Sequence, residues 1–136
     1  MDAIPESHKQ YFLTLEKHNV VFAGDEKFYL IHCGINDATF RNAGNLYLAK
    51  NQHLGAANIE ERVIEHIAKV SGDTLLWGYP EPEKLYKFTD GVQIFGHRSF
   101  PDVVIKDHYI AVDTGCGYNK RKLSAVILPD RKVLSV

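Results

Sequence analysis

Two segments of the chain place apolar residues at the spacing typical of amphipathic helices. Residues 5–17 predict an opening helix, because two aromatic residues and a leucine share one face. A second helix is expected to begin at the N-cap Asn58 and to reach residue 70, with Glu60 and other charged residues on its polar face. Residues 36–55 are too irregular to assign.

Short apolar runs elsewhere predict β-strands. Residues 20–22 and 28–31 flank a turn of small and charged residues, which is typical of a β-hairpin. The last two runs of the chain flank Pro129 and predict a closing hairpin. A length of 136 residues fits a single domain over residues 1–136. After the first hairpin, the predicted strands are residues 92–95, 103–105 and 109–112, followed by residues 123–128 and 133–136 of the closing hairpin.

The composition of the chain excludes several classes of protein. The net charge of −1, from 16 basic and 17 acidic residues, gives no electrostatic footprint for nucleic acid. No apolar stretch approaches the roughly 20 residues of a membrane span, and the first residues do not form a signal peptide. Two cysteines are typical of reduced thiols rather than of a disulfide framework. We therefore expect a cytoplasmic protein without a nucleic-acid or membrane partner.

Three of the apolar runs end at a polar residue beside glycine, and these polar residues are His32, His97 and Asp113. In open α/β sheets, functional groups gather beyond the carboxyl ends of strands. Two imidazoles from separate strand ends could share one metal ion. From spacing alone, a structural role for each histidine in hydrogen bonding stays open, and Asp113 is a possible ligand by its charge.

Five short motifs follow one another along the chain. They are His32-Cys33-Gly34-Ile35, Leu75-Leu76-Trp77, Phe95-Gly96-His97, residues 110–116 (IAVDTGC) and Leu123-Ser124-Ala125-Val126. In this order they resemble the C-terminal half of the calcineurin-like metallophosphoesterases. That family includes the serine/threonine protein phosphatases and the diadenosine tetraphosphate hydrolases.

The resemblance implies the C-terminal half of a layered α/β sandwich of α+β type, with a mixed sheet and flanking helices. It implies metal-dependent hydrolysis of a phosphoester, with His32 and His97 as ligands of the second of two divalent ions. Mn²⁺, Fe and Zn²⁺ suit imidazole and carboxylate ligands. The implied substrate is a phosphoprotein, a dinucleotide polyphosphate or a small phosphoester.

The family's other ligand motifs, Asp-x-His, Gly-Asp-x-x-Asp and Gly-Asn-His, do not occur in this sequence. We therefore expect the chain to ligate at most one ion, incompletely, and to supply no catalytic residue. The rest of the site would come from a missing N-terminal half or a second copy, because half a sandwich leaves apolar surface uncovered. The alternative is a non-catalytic pseudo-phosphatase or binding module with the same fold.

Two further residues are substrate-binding candidates. Arg98 stands where the family usually has Thr or Gln, and its guanidinium could bind phosphate; an ordinary surface arginine is the alternative. Tyr118 follows the glycine-rich loop and could line the substrate site.

The resemblance makes Asp113 a hydrogen-bond acceptor that organises its loop. Trp77 is expected in the core, and Cys33 and Cys116 are expected to be small buried thiols.

Overall fold

The computed structural model describes residues 4–118 and 121–136 of the chain. A mixed five-stranded sheet has helices on one face and a two-stranded hairpin against part of the other. This confirms the predicted mixed α/β class. The elements are α1 Glu6–Thr14, β1 His18–Ala23, β2 Glu26–Ile31, α2 Asp37–Lys50, α3 Ile59–Val70, α4 Gly72–Trp77, a 3₁₀ turn Pro82–Lys84, β3 Val92–Phe95, β4 Val104–Ile105, β5 Tyr109–Ala111, β6 Ser124–Ile127 and β7 Lys132–Ser135.

The five-stranded sheet has the order β1-β2-β3-β5-β4. Strands β2, β3 and β5 run parallel to one another, while β1 and β4 are antiparallel edge strands. Parallel strands bring their carboxyl ends to the same edge of a sheet. The residues after β2, β3 and β5 therefore meet at one edge, as the strand-end pattern predicts.

Alternate residues of the central strands face opposite layers. Tyr29 and Ile31 pack with the buried face of α3, whereas Phe28 packs beneath the β6–β7 hairpin.

Both predicted hairpins and the α3 helix are confirmed. Asn58 precedes α3 as predicted, but its φ of 53° is left-handed and its side chain makes no capping hydrogen bond.

Helix α2 occupies the segment that the sequence pattern leaves unassigned. Only Phe40 and Gly44 of its residues are buried, so it lacks a full apolar stripe. Its N-cap is formed by Asn36, whose side chain accepts a 2.7 Å hydrogen bond from the Thr39 amide. Among the described residues, no helix is both long and apolar enough to cross a membrane.

The acidic residue Glu60 lies inside the protein, so its prediction on the polar face of α3 is wrong. Its carboxylate accepts hydrogen bonds from the Tyr86 hydroxyl at 2.8 Å and from the Thr89 hydroxyl at 3.0 Å. The Thr89 amide donates a further bond at 3.1 Å. Tyr86 and Thr89 lie 26 and 29 positions away in sequence, and they supply the polar contacts that burial of a carboxylate requires.

A second buried polar cluster surrounds Lys27, which is only 8% exposed. The ammonium group pairs with Glu61 and, at 2.9 Å, with Asp90. Tyr29 donates its hydroxyl to Asp90 at 2.8 Å. Burial alone would raise the pKa of Asp90, but the hydrogen bonds from Lys27 and Tyr29 outweigh it and hold this pKa below its usual value.

We predict that Asp90→Asn lowers stability near neutral pH but not in acid. Because the folded-state pKa of Asp90 is depressed, its contribution is present above the unfolded-state pKa of about 3.9 and is lost as the pH falls through the folded value. Asp90 is 56% exposed, so the cost at neutral pH should stay near 1 kcal/mol. Urea unfolding between about pH 7 and pH 2.5 would measure this. Asp25→Asn, in the exposed β1–β2 turn, is the control; a stability difference for Asp90→Asn that did not change with pH would contradict the prediction.

Candidate functional site

The two histidines at the ends of β2 and β3 lie side by side. His32 follows β2 directly, and His97 lies two positions after β3, which pairs with β2 in parallel. Nε2 of His32 is 3.3 Å from Nδ1 of His97, and the ring centroids are 5.1 Å apart. His32 is exposed and His97 is half-buried, so the pair is open to solvent.

The backbone at His97 has an unusual conformation. Its φ is +64°, and the amide of Arg98 donates a 2.7 Å hydrogen bond to the carbonyl of Gly96. This bond between residues two apart, with a positive φ between them, is the pattern of a γ-turn, which is rare and strained. Strained backbone at a non-glycine residue clusters at functional sites.

Backbone contacts fix the three strand ends to one another. The Gly96 amide donates to the His32 carbonyl at 2.9 Å. The Cα of Gly96 faces Asp113, because a Cβ added at Gly96 would lie 3.4 Å from the Cβ of Asp113, at van der Waals contact. Asp113 accepts a 2.7 Å hydrogen bond from the Gly115 amide through its carboxylate. This confirms that Asp113 organises its loop.

Two exposed aromatic side chains lie beside His97. The rings of Trp77 and Tyr79 lie edge-to-face with the imidazole at 6.0 and 6.1 Å between centroids. Trp77 is 73% exposed, so its prediction as a core residue is wrong. The short helix α4 buries Leu75 instead, and Trp77 at its last position extends beyond the core towards the site.

Arg98 has a defined position next to the pair. Its guanidinium lies 4.9 Å over the ring of Tyr79 and donates a 3.4 Å hydrogen bond to the Pro80 carbonyl. The side chain is half-buried. Most of its five N–H donors remain open to a ligand.

The other candidates are Tyr118 and the two cysteines. Tyr118 is 76% exposed in a turn closed by its amide and the Gly115 carbonyl, and its side chain has no contact with the pair within the described part of the chain. Both cysteines are free thiols. Cys33 is buried as expected, and burial raises the pKa of its thiol. Cys116 is exposed, so its prediction as a buried thiol is wrong.

Sequence reasoning did not single out Gln93, the fully buried side chain in the middle of β3. Its amide oxygen accepts from the Ile35 amide at 3.0 Å, and its amide nitrogen donates to the carbonyls of Ile35 and Tyr86 at 3.1 and 2.6 Å. These bonds hold the loop that follows His32 against the strand that leads to His97. The signal available in the sequence was a polar residue, Gln93, within the otherwise apolar run of residues 92–95.

The geometry of the histidine pair fits one shared metal ion. Two imidazole nitrogens bound at about 2.0–2.1 Å to a tetrahedral ion lie about 3.3 Å apart. The same separation suits a long hydrogen bond between neutral rings. Over residues 4–118 and 121–136, no group of three or more His, Cys, Asp or Glu side chains is placed to hold an ion. Further ligands to such an ion would be water or groups outside the described residues.

No protein-family model and no curated protein matches the chain. The resemblance to calcineurin-like metallophosphoesterases therefore depends on the ordered sequence motifs alone.

We predict that His97→Gly is more stable than His97→Ala by about 1 kcal/mol, because only glycine adopts a positive φ without strain. Both variants remove the imidazole, so each is the other's control. Urea or thermal unfolding of the two proteins gives the difference. Equal stabilities would mean that the backbone at position 97 relaxes.

We also predict that Gln93→Leu destabilises the protein by at least about 2 kcal/mol, because it leaves buried backbone groups of Ile35 and Tyr86 without partners. Gln52→Leu, at an exposed position, is the matched control and should have little effect. Denaturant unfolding measures both. A near-neutral Gln93→Leu would show that the loop after β2 is held by other contacts.

Proposed function

We propose that this chain is the C-terminal half of a calcineurin-like metallophosphoesterase domain and supplies ligands to a centre that hydrolyses phosphoesters. The observation that carries the proposal is the approach of His32 Nε2 and His97 Nδ1 to 3.3 Å at the ends of adjacent parallel strands. The order of the motifs along the chain supports the same assignment. The parallel β2-β3-β5 core is compatible with half of the family's sandwich.

His32 and His97 would hold one of the two divalent ions of the complete centre, with Mn²⁺, Fe or Zn²⁺ as the candidates. When bound, such ions polarise the phosphate oxygens and lower the pKa of a bound water. The missing carboxylate ligands and the general acid would come from an N-terminal half or another chain. On its own, this chain would bind an ion weakly and would not turn over substrate.

Arg98 is the phosphate-binding candidate of this centre. Its stacking on Tyr79 and its bond to Pro80 restrict the guanidinium, which reduces the conformational entropy lost when it binds an oxyanion. Its position directly after His97 places it next to the proposed ion site. The exposed Trp77 and Tyr79 would border a substrate on the same side.

We predict that Co²⁺ or Cu²⁺ quenches the fluorescence of Trp77, the single tryptophan, because its ring lies 6.0 Å from that of His97. His32→Ala and His97→Ala should each weaken binding of the ion at least about tenfold. His53→Ala, at an exposed position in the connection between α2 and α3, is the matched control. Calorimetric titration with Zn²⁺ or Mn²⁺, on protein without a histidine tag, gives the affinities independently of fluorescence. Binding that is absent, or that survives both substitutions, would overturn the proposed metal site.

Turnover separates an enzymatic centre from a non-catalytic module. The chain should not hydrolyse p-nitrophenyl phosphate with Mn²⁺. Fusion behind the N-terminal half of a family member that carries the three missing motifs should restore hydrolysis that requires His32 and His97. Hydrolysis by the chain alone, abolished by both substitutions, would show that its site is complete. Metal binding without hydrolysis in a folded fusion would favour the pseudo-phosphatase alternative.

A further inference from the structure

Helix α1 has no buried residue over its nine positions. Tyr11 and Phe12 lie on one side of α1 together with its C-cap residue Leu15, and these three are 62%, 61% and 52% exposed. Ile4, just before the helix, is 57% exposed. Isolated helices shorter than about 12–15 residues are marginal in water, and most helical stability in proteins comes from packing an apolar face. The apolar side of α1 therefore requires a covering surface.

The sheet carries an open apolar groove next to this helix. The β6–β7 hairpin covers only part of its second face, where Val126 and Leu128 pack with Phe28. The uncovered part is a groove of about 680 Å³ whose floor includes Leu30, Ile94 and Val112. Residues 14–19, which connect α1 to β1, form one wall.

The dimensions of the groove suit a helix the size of α1. Nine helical residues extend about 13.5 Å, at 1.5 Å each. Three strands spaced about 4.8 Å apart present a floor about 10 Å across, which is close to the diameter of a helix with its side chains. Leu15 already lies in the groove wall and has left the helix, with ψ of 130°, before the chain enters β1.

We propose that two copies of this chain exchange their α1 helices, so that the apolar side of each α1 lies in the groove of the other copy. The reciprocal exchange is a closed two-fold arrangement and leaves neither helix nor groove free. Ile4, Tyr11 and Phe12 at this exposure offer roughly 300 Å², and the groove buries a similar area. Two such contacts bury about 1,200 Å² in total, which lies at the lower end of the range for standard stable interfaces.

The exchange brings the partner copy to the candidate site. His32 and Gly96 line the same groove as Leu30 and Ile94. A partner α1 seated there lies beside the histidine pair and limits its access to water on that side. The proposed interface does not depend on metal binding, so the two proposals can fail separately. An N-terminal half that completed the metal centre would displace the exchanged α1 from this face.

Sedimentation equilibrium of the purified chain over a wide concentration range tests the proposal. Wild-type protein should form a dimer. Tyr11→Asp, on the apolar side of α1, and Val112→Asp, in the groove, should each raise the dimer dissociation constant at least about tenfold. Leu13→Asp is the matched control: Leu13 is 78% exposed and lies on the opposite side of α1, so this variant should remain dimeric.

Circular dichroism shows whether each variant is folded, and Leu30→Ser replaces Val112→Asp as the groove variant if the latter unfolds. A wild-type monomer at all concentrations would mean that the groove takes its own α1 or another protein, and would overturn the proposal. A dimer insensitive to Tyr11→Asp would place the interface elsewhere. A dimer sensitive to Tyr11→Asp but not to the groove variant would indicate helix–helix pairing instead of exchange. Equal disruption by Leu13→Asp would also contradict the proposed orientation.

Discussion

The buried amide of Gln93 is the interaction on which the geometry of the candidate site depends. Parallel pairing of β2 with β3 brings the two strand ends to one edge, but it does not fix the loop that leaves β2. Gln93 does so from the middle of β3, because its oxygen and nitrogen bind both backbone groups of Ile35. Gly34, with φ of +74°, lets the chain turn closely over this amide. Together with the bond from the Gly96 amide to the His32 carbonyl, that connection holds His32 next to His97.

The sequence predicts elements whose stabilising contacts are local or periodic. The β1–β2 hairpin, the closing hairpin and α3 each show their own turn residues or apolar stripe, and all three occur in the structure. Helix α2 buries only Phe40 and Gly44, so its sequence carries too little periodicity to identify it. Glu60 looks solvent-exposed in the helical pattern because its partners, Tyr86 and Thr89, come from a distant segment.

Local sequence patterns predict one part of the candidate site, whereas the other part depends on contacts between residues that are far apart in sequence. Glycine beside a polar residue at three strand ends is a local signal, and it indicates the approach of His32 and His97. The positions of Trp77 and Tyr79 depend on where α4 ends relative to the sheet, which no local pattern reveals. The stacking of Arg98 on Tyr79 likewise joins residues nearly twenty positions apart. The metal assignment itself stays a prediction from the motifs and the pair's separation.

The open half of the sheet and the histidine pair are parts of the same surface. Along β2, Phe28 and Leu30 face away from the helices, and His32 continues this alternation beyond the strand. The β6–β7 hairpin shields the beginning of that row but not its end. Burying the exposed end would remove Leu30 from water and would also lower the polarity around His32. Electrostatic interactions strengthen when water is excluded. Any group that covers this face therefore changes both the stability of the sheet and the polarity around the histidine pair, so the two properties are physically coupled in this fold.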